Sequence, residues 1–256
     1  MTTVAGHAAN KPIWFDVMTA DPDGARKFYS ALFGWTYDIG GEEFGFYTMC
    51  KVGNGNAAGL GPMMPGQEMP PAWTVYFGVT DCDATVEKIK QNGGQVLVPT
   101  MDVMEFGRMA VCMDSTGAAF GLWQPKQHVG ATVIEEHGAM AWCEVNTRDA
   151  SAASAFYRDV FSLDAQKLDD PSMTYFMLNQ SEAPVAGVLQ MNADWGELPP
   201  HWMSYFVVNN IDESSEVVKA NGGKVAHGPF DSPYGRIAVI MDPQGAALSI
   251  IQPPAP

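Results

Sequence analysis

The chain repeats itself. WFDVMTADPDGARKFY, running from Trp14 to Tyr29, returns as WCEVNTRDASAASAFY from Trp142 to Tyr157 at a constant shift of 128 residues. Asp16 answers to Glu144, Asp21 to Asp149, and Phe28-Tyr29 to Phe156-Tyr157. The correspondence continues downstream. Tyr47 matches Tyr175, Ala58-Gly59 matches Ala186-Gly187, and Trp73 and Tyr76 match Trp202 and Tyr205. Arg108 matches Arg236, and the turn Asp114-Ser-Thr-Gly117 matches Asp242-Pro-Gln-Gly245. Such a chain is one unit used twice, each of about 120 residues, an ordinary domain size. The boundaries read as 11–126 and 139–254, with a polar linker at 127–138.

Each unit is itself two modules of one rhythm. Ile13–Thr19 reads as a strand apolar on both faces. Asp21 then caps a helix with Pro22 in its first turn, where the missing N–H costs nothing. Ala25, Phe28, Tyr29, Leu32 and Phe33 form one apolar stripe at helical spacing, and Gly34 ends the helix. Short strands follow at Trp35–Asp38, Phe44–Lys51 and Ala57–Met63. Past a proline-rich joint at 64–71, the strand Trp73–Val79 leads into a helix capped by Asp81 or Asp83 and closed by Asn92-Gly93-Gly94. Three strands follow again, at Val96–Pro99, Arg108–Met113 and Ala118–Gln124. The second unit restarts the order, with the stripe Ala153, Phe156, Tyr157, Val160 and Phe161. The fold class is α+β: four β-α-β-β-β modules in two tandem domains. One four-stranded module cannot cover both faces of its sheet. Two side by side are expected to make a curved mixed sheet with helices outside and a concave, ligand-sized pocket inside.

Composition narrows the partners. Fourteen basic against 29 acidic residues give a net charge of −15, a field that repels phosphate backbones and anionic membranes. The four cysteines (Cys50, Cys82, Cys112 and Cys143) are scattered, without a CxxC pair, and read as reduced packing residues. No apolar run approaches the ~20 residues of a membrane span, and residues 1–11 lack a signal-peptide core. The expectation is a cytoplasmic protein, monomeric or homodimeric, whose partner is a small molecule.

Paired modules with W-x-[DE]-x-x-T-x-D…FY…F at the start and D-x-x-G-A near the end resemble the vicinal oxygen chelate superfamily. That group includes glyoxalase I, the bleomycin resistance proteins and the extradiol dioxygenases, and the similarity is greatest to its tandem two-domain glyoxalase-like members. The resemblance covers about Pro12 to Pro253. It implies a first-strand metal ligand seven residues before the helix-capping acid. Those positions hold Trp14, Thr74, Trp142 and Met203. It also implies a glutamate four residues after the last turn glycine, where Gly121 and Ser249 stand. The other two modules pass through Ala58-Gly59 and Ala186-Gly187, with Gln190 the nearest polar side chain. Trp14, Thr74, Trp142 and Met203 are not plausible first-row metal ligands, and no carboxylate stands at the expected strand positions. The expectation is therefore no cofactor and no metal site of the usual kind.

Strand period 2 puts Asp16 beside Trp14, and Glu144 beside Trp142, on the face where the resemblance places ligands. A carboxyl against an aromatic wall has a raised pKa suited to general acid-base work; the alternative is a structural tie to backbone N–H groups or an arginine. By the same counting Tyr76 and Tyr205 share a face with Thr74 and Met203, which leaves Trp73 and Trp202 in the core. Tyr47 and Tyr175 are candidates for the same walls. Arg108 and Arg236 pair with these carboxyls or meet an anionic substrate. No histidine recurs between halves, and His201 alone lies near a candidate strand.

Asp16 and Glu144 are thus the catalytic candidates. Trp14, Trp142, Thr74, Met203, Tyr76, Tyr205, Tyr47, Tyr175, Arg108 and Arg236 are the binding candidates. The preferred reading is a metal-free binder of small organic molecules, acting by sequestration or by metal-independent acid-base chemistry. The alternatives are a divalent-metal lyase or dioxygenase with shifted ligands, drawn from Asp16 or Glu144 with His201, and a non-catalytic scaffold or partner-binding protein.

Overall fold

The computed structural model describes residues 6–63 and 70–254. Residues 64–69 of the expected joint, and 1–5 of the amino-terminal arm, lie outside the described residues. The first domain runs β1 (Lys11–Thr19), α1 (Pro22–Phe33), β2 (Thr36–Ile39), β3 (Thr48–Val52), β4 (Gly55–Pro62), β5 (Ala72–Gly78), α2 (Cys82–Gln91), β6 (Gln95–Val103), β7 (Gly107–Met113) and β8 (Ala119–Pro125). The second repeats it as β9 (Met140–Thr147), α3 (Ala150–Phe161), β10 (Asp164–Lys167), β11 (Tyr175–Gln180), β12 (Ala183–Gln190), β13 (His201–Val207), α4 (Ile211–Ala220), β14 (Lys224–Ser232), β15 (Gly235–Met241) and β16 (Ala247–Gln252). Modules pair in chain order. The strands run β2-β3-β4-β1-β5-β8-β7-β6 in one sheet and β10-β11-β12-β9-β13-β16-β15-β14 in the other.

The helices form where capping and stripe agree. Asp21, Asp81 and Asp149 each accept a first-turn N–H through their side chains, and Asn210 does the same for α4. All ten residues of the two stripes are buried. Two strands differ from expectation. Glu42–Phe44 is a 3-10 turn, because Gly45 and Phe46 both take positive φ and hold β3 back to Thr48. β6 runs on past Pro99 to Val103, as an edge strand with bulges can.

Helix faces meet across the domains. Phe33 packs on Phe206, and Phe77 stacks on Phe161 with ring centroids 4.3 Å apart. The Tyr29 hydroxyl donates to Asp242 at 2.9 Å and the Tyr157 hydroxyl to Asp114 at 2.8 Å, a reciprocal pair. One apolar core accordingly spans both domains, with Trp73 and Trp202 inside it.

This overturns the expectation of curved sheets closed around concave pockets with helices outside. Each sheet is an open eight-strand ladder, ending at β2 and β6 or at β10 and β14. The aromatic helix stripes need burial, and each half supplies it for the other, so the helices lie inside. The opposite sheet faces turn away from this core, and the first carries its own aromatic cluster of Trp14, Tyr76 and Trp123 with Ile13 and Ala131. The four cysteines are buried and unbridged. Among the described residues no helix is long and apolar enough to cross a membrane.

Candidate functional site

β1 pairs antiparallel with β5 so that Trp14 faces Tyr76 and Asp16 faces Thr74. β9 and β13 repeat this, with Trp142 opposite Tyr205 and Glu144 opposite Met203. Residues directly opposite share a sheet face. The structure therefore brings the tryptophans, the carboxyls, Thr74, Met203 and the two β5/β13 tyrosines together in each half. Tyr47 and Tyr175 join them by reaching over glycines in the neighbouring strand. A Cβ at Gly59 would collide with the Tyr47 hydroxyl, and one at Gly187 with that of Tyr175.

The result is one hydrogen-bonded frame, built twice. The Trp14 indole donates to the Tyr47 hydroxyl at 2.9 Å, which donates to Asp16 Oδ2 at 3.0 Å. The Trp142 indole donates to Tyr175 at 3.0 Å, and Tyr175 to Glu144 Oε2 at 2.8 Å. In the second half Tyr205 completes the clamp, donating to Glu144 Oε1 at 2.6 Å. In the first half Asp16 Oδ1 is buried without a hydrogen bond of good geometry. Glutamate is one methylene longer and reaches both tyrosines; aspartate is held firmly by one.

Burial pushes the Asp16 carboxyl up to about 7, against the hydroxyls of Tyr47 and Tyr76, which favour the charged form. Burial likewise raises Glu144, held back by Tyr205 and Tyr175. The four tyrosine hydroxyls are raised, first by burial and then by the adjacent carboxylate, and stay protonated donors. A carboxyl at the Asp16 value can give and take a proton near neutrality, and Glu144 is shifted in the same direction.

The arginines are elsewhere. Arg108 binds Asp83 at 3.1 Å and Asp102 at 3.2 Å, and Arg236 binds Asp212 at 2.6 Å. Neither is brought to Asp16 or Glu144: their partners stand in the first turns of α2 and α4 and on β6. Gln190 caps α3, accepting from Ala150 N at 2.8 Å.

A metal does not fit this donor set. At the family's ligand positions stand Trp14, Thr74 and Gly121 in one half and Trp142, Met203 and Ser249 in the other. A side chain at Gly121 would run into the Tyr76 ring. Both Glu144 oxygens are taken by tyrosines. The His201 ring nitrogens face Asn146 Nδ2 at 3.4 Å and the Pro199 carbonyl at 2.8 Å, so the shifted site of Glu144 with His201 is not assembled. Among the described residues no three His, Cys, Asp or Glu side chains gather as a metal cage.

The halves differ around the frame. In the first, the linker lays His128 edge-on against Trp14, ring centroids 4.3 Å apart, and against Trp123 at 5.4 Å. Trp14 is 3% exposed and Tyr76 6%, whereas Trp142 and Tyr205 are half-buried. Trp142 also lines a cleft of about 240 Å³ at the domain junction, beside His7, Lys11 and Glu135. Sequence reasoning missed His128, Trp123 and Asn146. Period 2 from Glu144 gives Asn146 at once; nothing local shows where a linker histidine lands.

Comparison with known proteins agrees with this architecture. The profile described as Glyoxalase/Bleomycin resistance protein/Dioxygenase superfamily matches residues 7–122 and 139–250. The chain is 40% identical over 250 residues to the glyoxylase-named protein CFP32 of Mycobacterium tuberculosis, covering 94% of each chain. It is 33% identical over 259 residues to the anthracycline biosynthesis protein DnrV of Streptomyces peucetius, covering 96% of this chain and 94% of that one. Among solved structures, the 2,3-dioxygenase LapB of Pseudomonas sp. KL28 superposes with a TM-score of 0.66 at 13% identity, over 98% of this chain and 96% of that one. The Mn(II)-bound glyoxalase of Novosphingobium aromaticivorans gives 0.65 at 13% identity, over 95% and 82%. The four repeated modules thus make this chain a tandem, two-domain member of the Glyoxalase/Bleomycin resistance protein/Dioxygenase superfamily.

Proposed function

We propose that the protein binds a small organic molecule against the aromatic face of a Trp-Tyr-carboxyl frame, without a metal. The buried carboxyl serves as a proton donor and acceptor toward what is bound. The single observation that carries this reading is the duplicated frame itself: Trp14-Tyr47-Asp16 and Trp142-Tyr175-Glu144, each a carboxyl raised by burial beneath an indole and tyrosines. A carboxyl kept in an apolar wall costs stability, and a costly feature held in both copies fits a function better than packing. The net charge of −15 supports a neutral or cationic ligand over an anionic one. Relatives named for glyoxylase and anthracycline biosynthesis support an organic compound. A reducing, cytoplasmic setting is part of the proposal, supported by four unbridged cysteines.

The test is a tryptophan-fluorescence titration with a panel of small aromatic and carbonyl compounds, with and without a chelator. Binding that survives chelation and weakens about tenfold in Glu144→Gln or Tyr205→Phe, the equivalent of about 1.4 kcal/mol, is the expected outcome. Binding abolished by the chelator and restored by a divalent metal would sink the metal-free reading. Silence across the panel would sink the binding reading.

A further inference from the structure

The two frames share their tryptophan, tyrosines, carboxyl and underlying glycine and differ in several of the residues that flank them. In the first half the linker's His128 lies on Trp14 and Trp123. Its backbone is pinned on both sides, with His128 N donating to the Phe106 carbonyl at 3.0 Å and its own carbonyl accepting from the Trp123 indole at 2.7 Å. Burial lowers the imidazole to about 4, so a neutral planar ring rests on the indole, its Nε2 buried and unpartnered. In the second half, among the described residues, no ring stacks on Trp142.

The positions flanking Glu144 have also diverged. Where the first half has Ala72, Met18 and Gly121, the second has His201, Asn146 and Ser249. Asn146 is 1% exposed and Ser249 0%; Asn146 Oδ1 has no hydrogen-bond partner, and Ser249 Oγ reaches only the Tyr205 hydroxyl, without a bond of good geometry. Asn146 follows Glu144 by two on β9, and Ser249 pairs with Tyr205 across β13 and β16, so both belong to the face of the frame. A buried polar atom left without a partner is costly, and Asn146 Oδ1 beside the Glu144 carboxyl, with the weakly held Ser249 hydroxyl next to it, marks a place for an incoming donor.

We propose that the halves have divided their roles. The linker's His128 occupies the first frame as a built-in ligand. The second frame, extended by Asn146, Ser249 and His201, takes the external molecule, a neutral planar ring carrying an N–H or hydroxyl donor. The inference rests on the binding reading above and adds to it which half binds, and what. His128 shows the geometry a ring adopts on this indole, edge-on at 4.3 Å. Asn146 Oδ1, an acceptor only, sets the need for a donor on the ring.

Pyrazole, a neutral ring with one N–H donor, is the probe, and the assigned indole N–H resonances of Trp14 and Trp142 in the full chain are the readout. In the unmodified protein pyrazole shifts Trp142 and leaves Trp14 in place. In His128→Ala it shifts both, and the stoichiometry rises from one to two. Exchanging the second half's residues for those of the first, Asn146→Met with Ser249→Gly, weakens the Trp142 response at least tenfold. Three results overturn the division of roles: Trp14 responding in the unmodified protein, Trp14 silent in a folded His128→Ala, or unchanged affinity in the double exchange. The exchange needs no opened slot, so it stands if His128→Ala does not fold. Silence of both indoles in every protein removes the binding reading together with the inference, whereas a response at the wrong indole removes only the inference.

Discussion

Asp16 carries the clearest consequence at the scale of a single residue. Its carboxyl titrates near 3.8 in the unfolded chain and about 7 in the folded one. Between those values the native state holds the extra proton, so stability falls as pH rises from about 4 to about 7 and is level above that. The full difference is on the order of 4 kcal/mol, at about 1.4 kcal/mol per pH unit. Asp16→Asn removes this slope: the variant gains stability at pH 8 relative to pH 4.5, compared with the unmodified chain, in urea unfolding at both. A difference between the two proteins that stays constant with pH would dismiss the assignment. Trp14 and Asp16 sharing a face was legible from period 2, and Tyr76 joining them from period 2 together with the family resemblance. The partners of Arg108 and Arg236 were not. Asp81 caps α2, which frees Asp83 to bind Arg108, and the sequence left either aspartate as the cap.

At the scale of the element, a substitution pattern explains itself. Three helices start with a residue whose N–H is met by a glutamine from the end of a strand: Cys82 by Gln124, Ala150 by Gln190 and Ile211 by Gln252. The fourth, α1, starts with Pro22, which has no N–H, and the matching strand end is Pro62 rather than glutamine. Where the donor is gone, the acceptor is gone too. Gln190→Ala is therefore predicted to cost about 1–3 kcal/mol, the penalty of an unmet buried N–H. In an Ala150→Pro background most of that penalty disappears. Asp149, with φ −134° and ψ 83°, already has the backbone that Asp21, with φ −127° and ψ 79°, uses before Pro22. A double-mutant cycle in urea should give a coupling above about 0.5 kcal/mol; additivity would refute the pairing. Helices, caps and stripes were legible because their signals are local. The start of β3 was not, since two left-handed residues, one of them Phe46, hold it back.

At the scale of the molecule, the duplication announced two domains but not which faces they present to each other. Whether stripe residues lie under an outer helix or against another domain is a matter of tertiary packing, and a burial pattern reads the same in both. The structure settles it through reciprocal contacts: Tyr29 with Asp242, Tyr157 with Asp114, and Phe33, Phe77, Phe161 and Phe206 shared in one core. Asp114 and Asp242 are each 3% exposed, and each also anchors its own turn, accepting from the backbone of Ala118 or Ala246. A buried carboxyl thus ties one half's turn to the other half's helix. Neither half can lose its fold without stripping apolar cover and a hydroxyl partner from the other, so the chain should unfold in one transition despite its two domains. Tyr29→Phe leaves Asp242 and the Trp73 indole, which donates to that hydroxyl at 3.2 Å, short of a partner. It should lower stability by about 1–3 kcal/mol, and Tyr157→Phe by a similar amount. Calorimetry separates this from the picture of two independent beads. A single peak, with calorimetric and van't Hoff enthalpies agreeing and moved as a whole by either substitution, is expected. Two peaks, with Tyr29→Phe moving only one, would show that the shared core does not couple the halves.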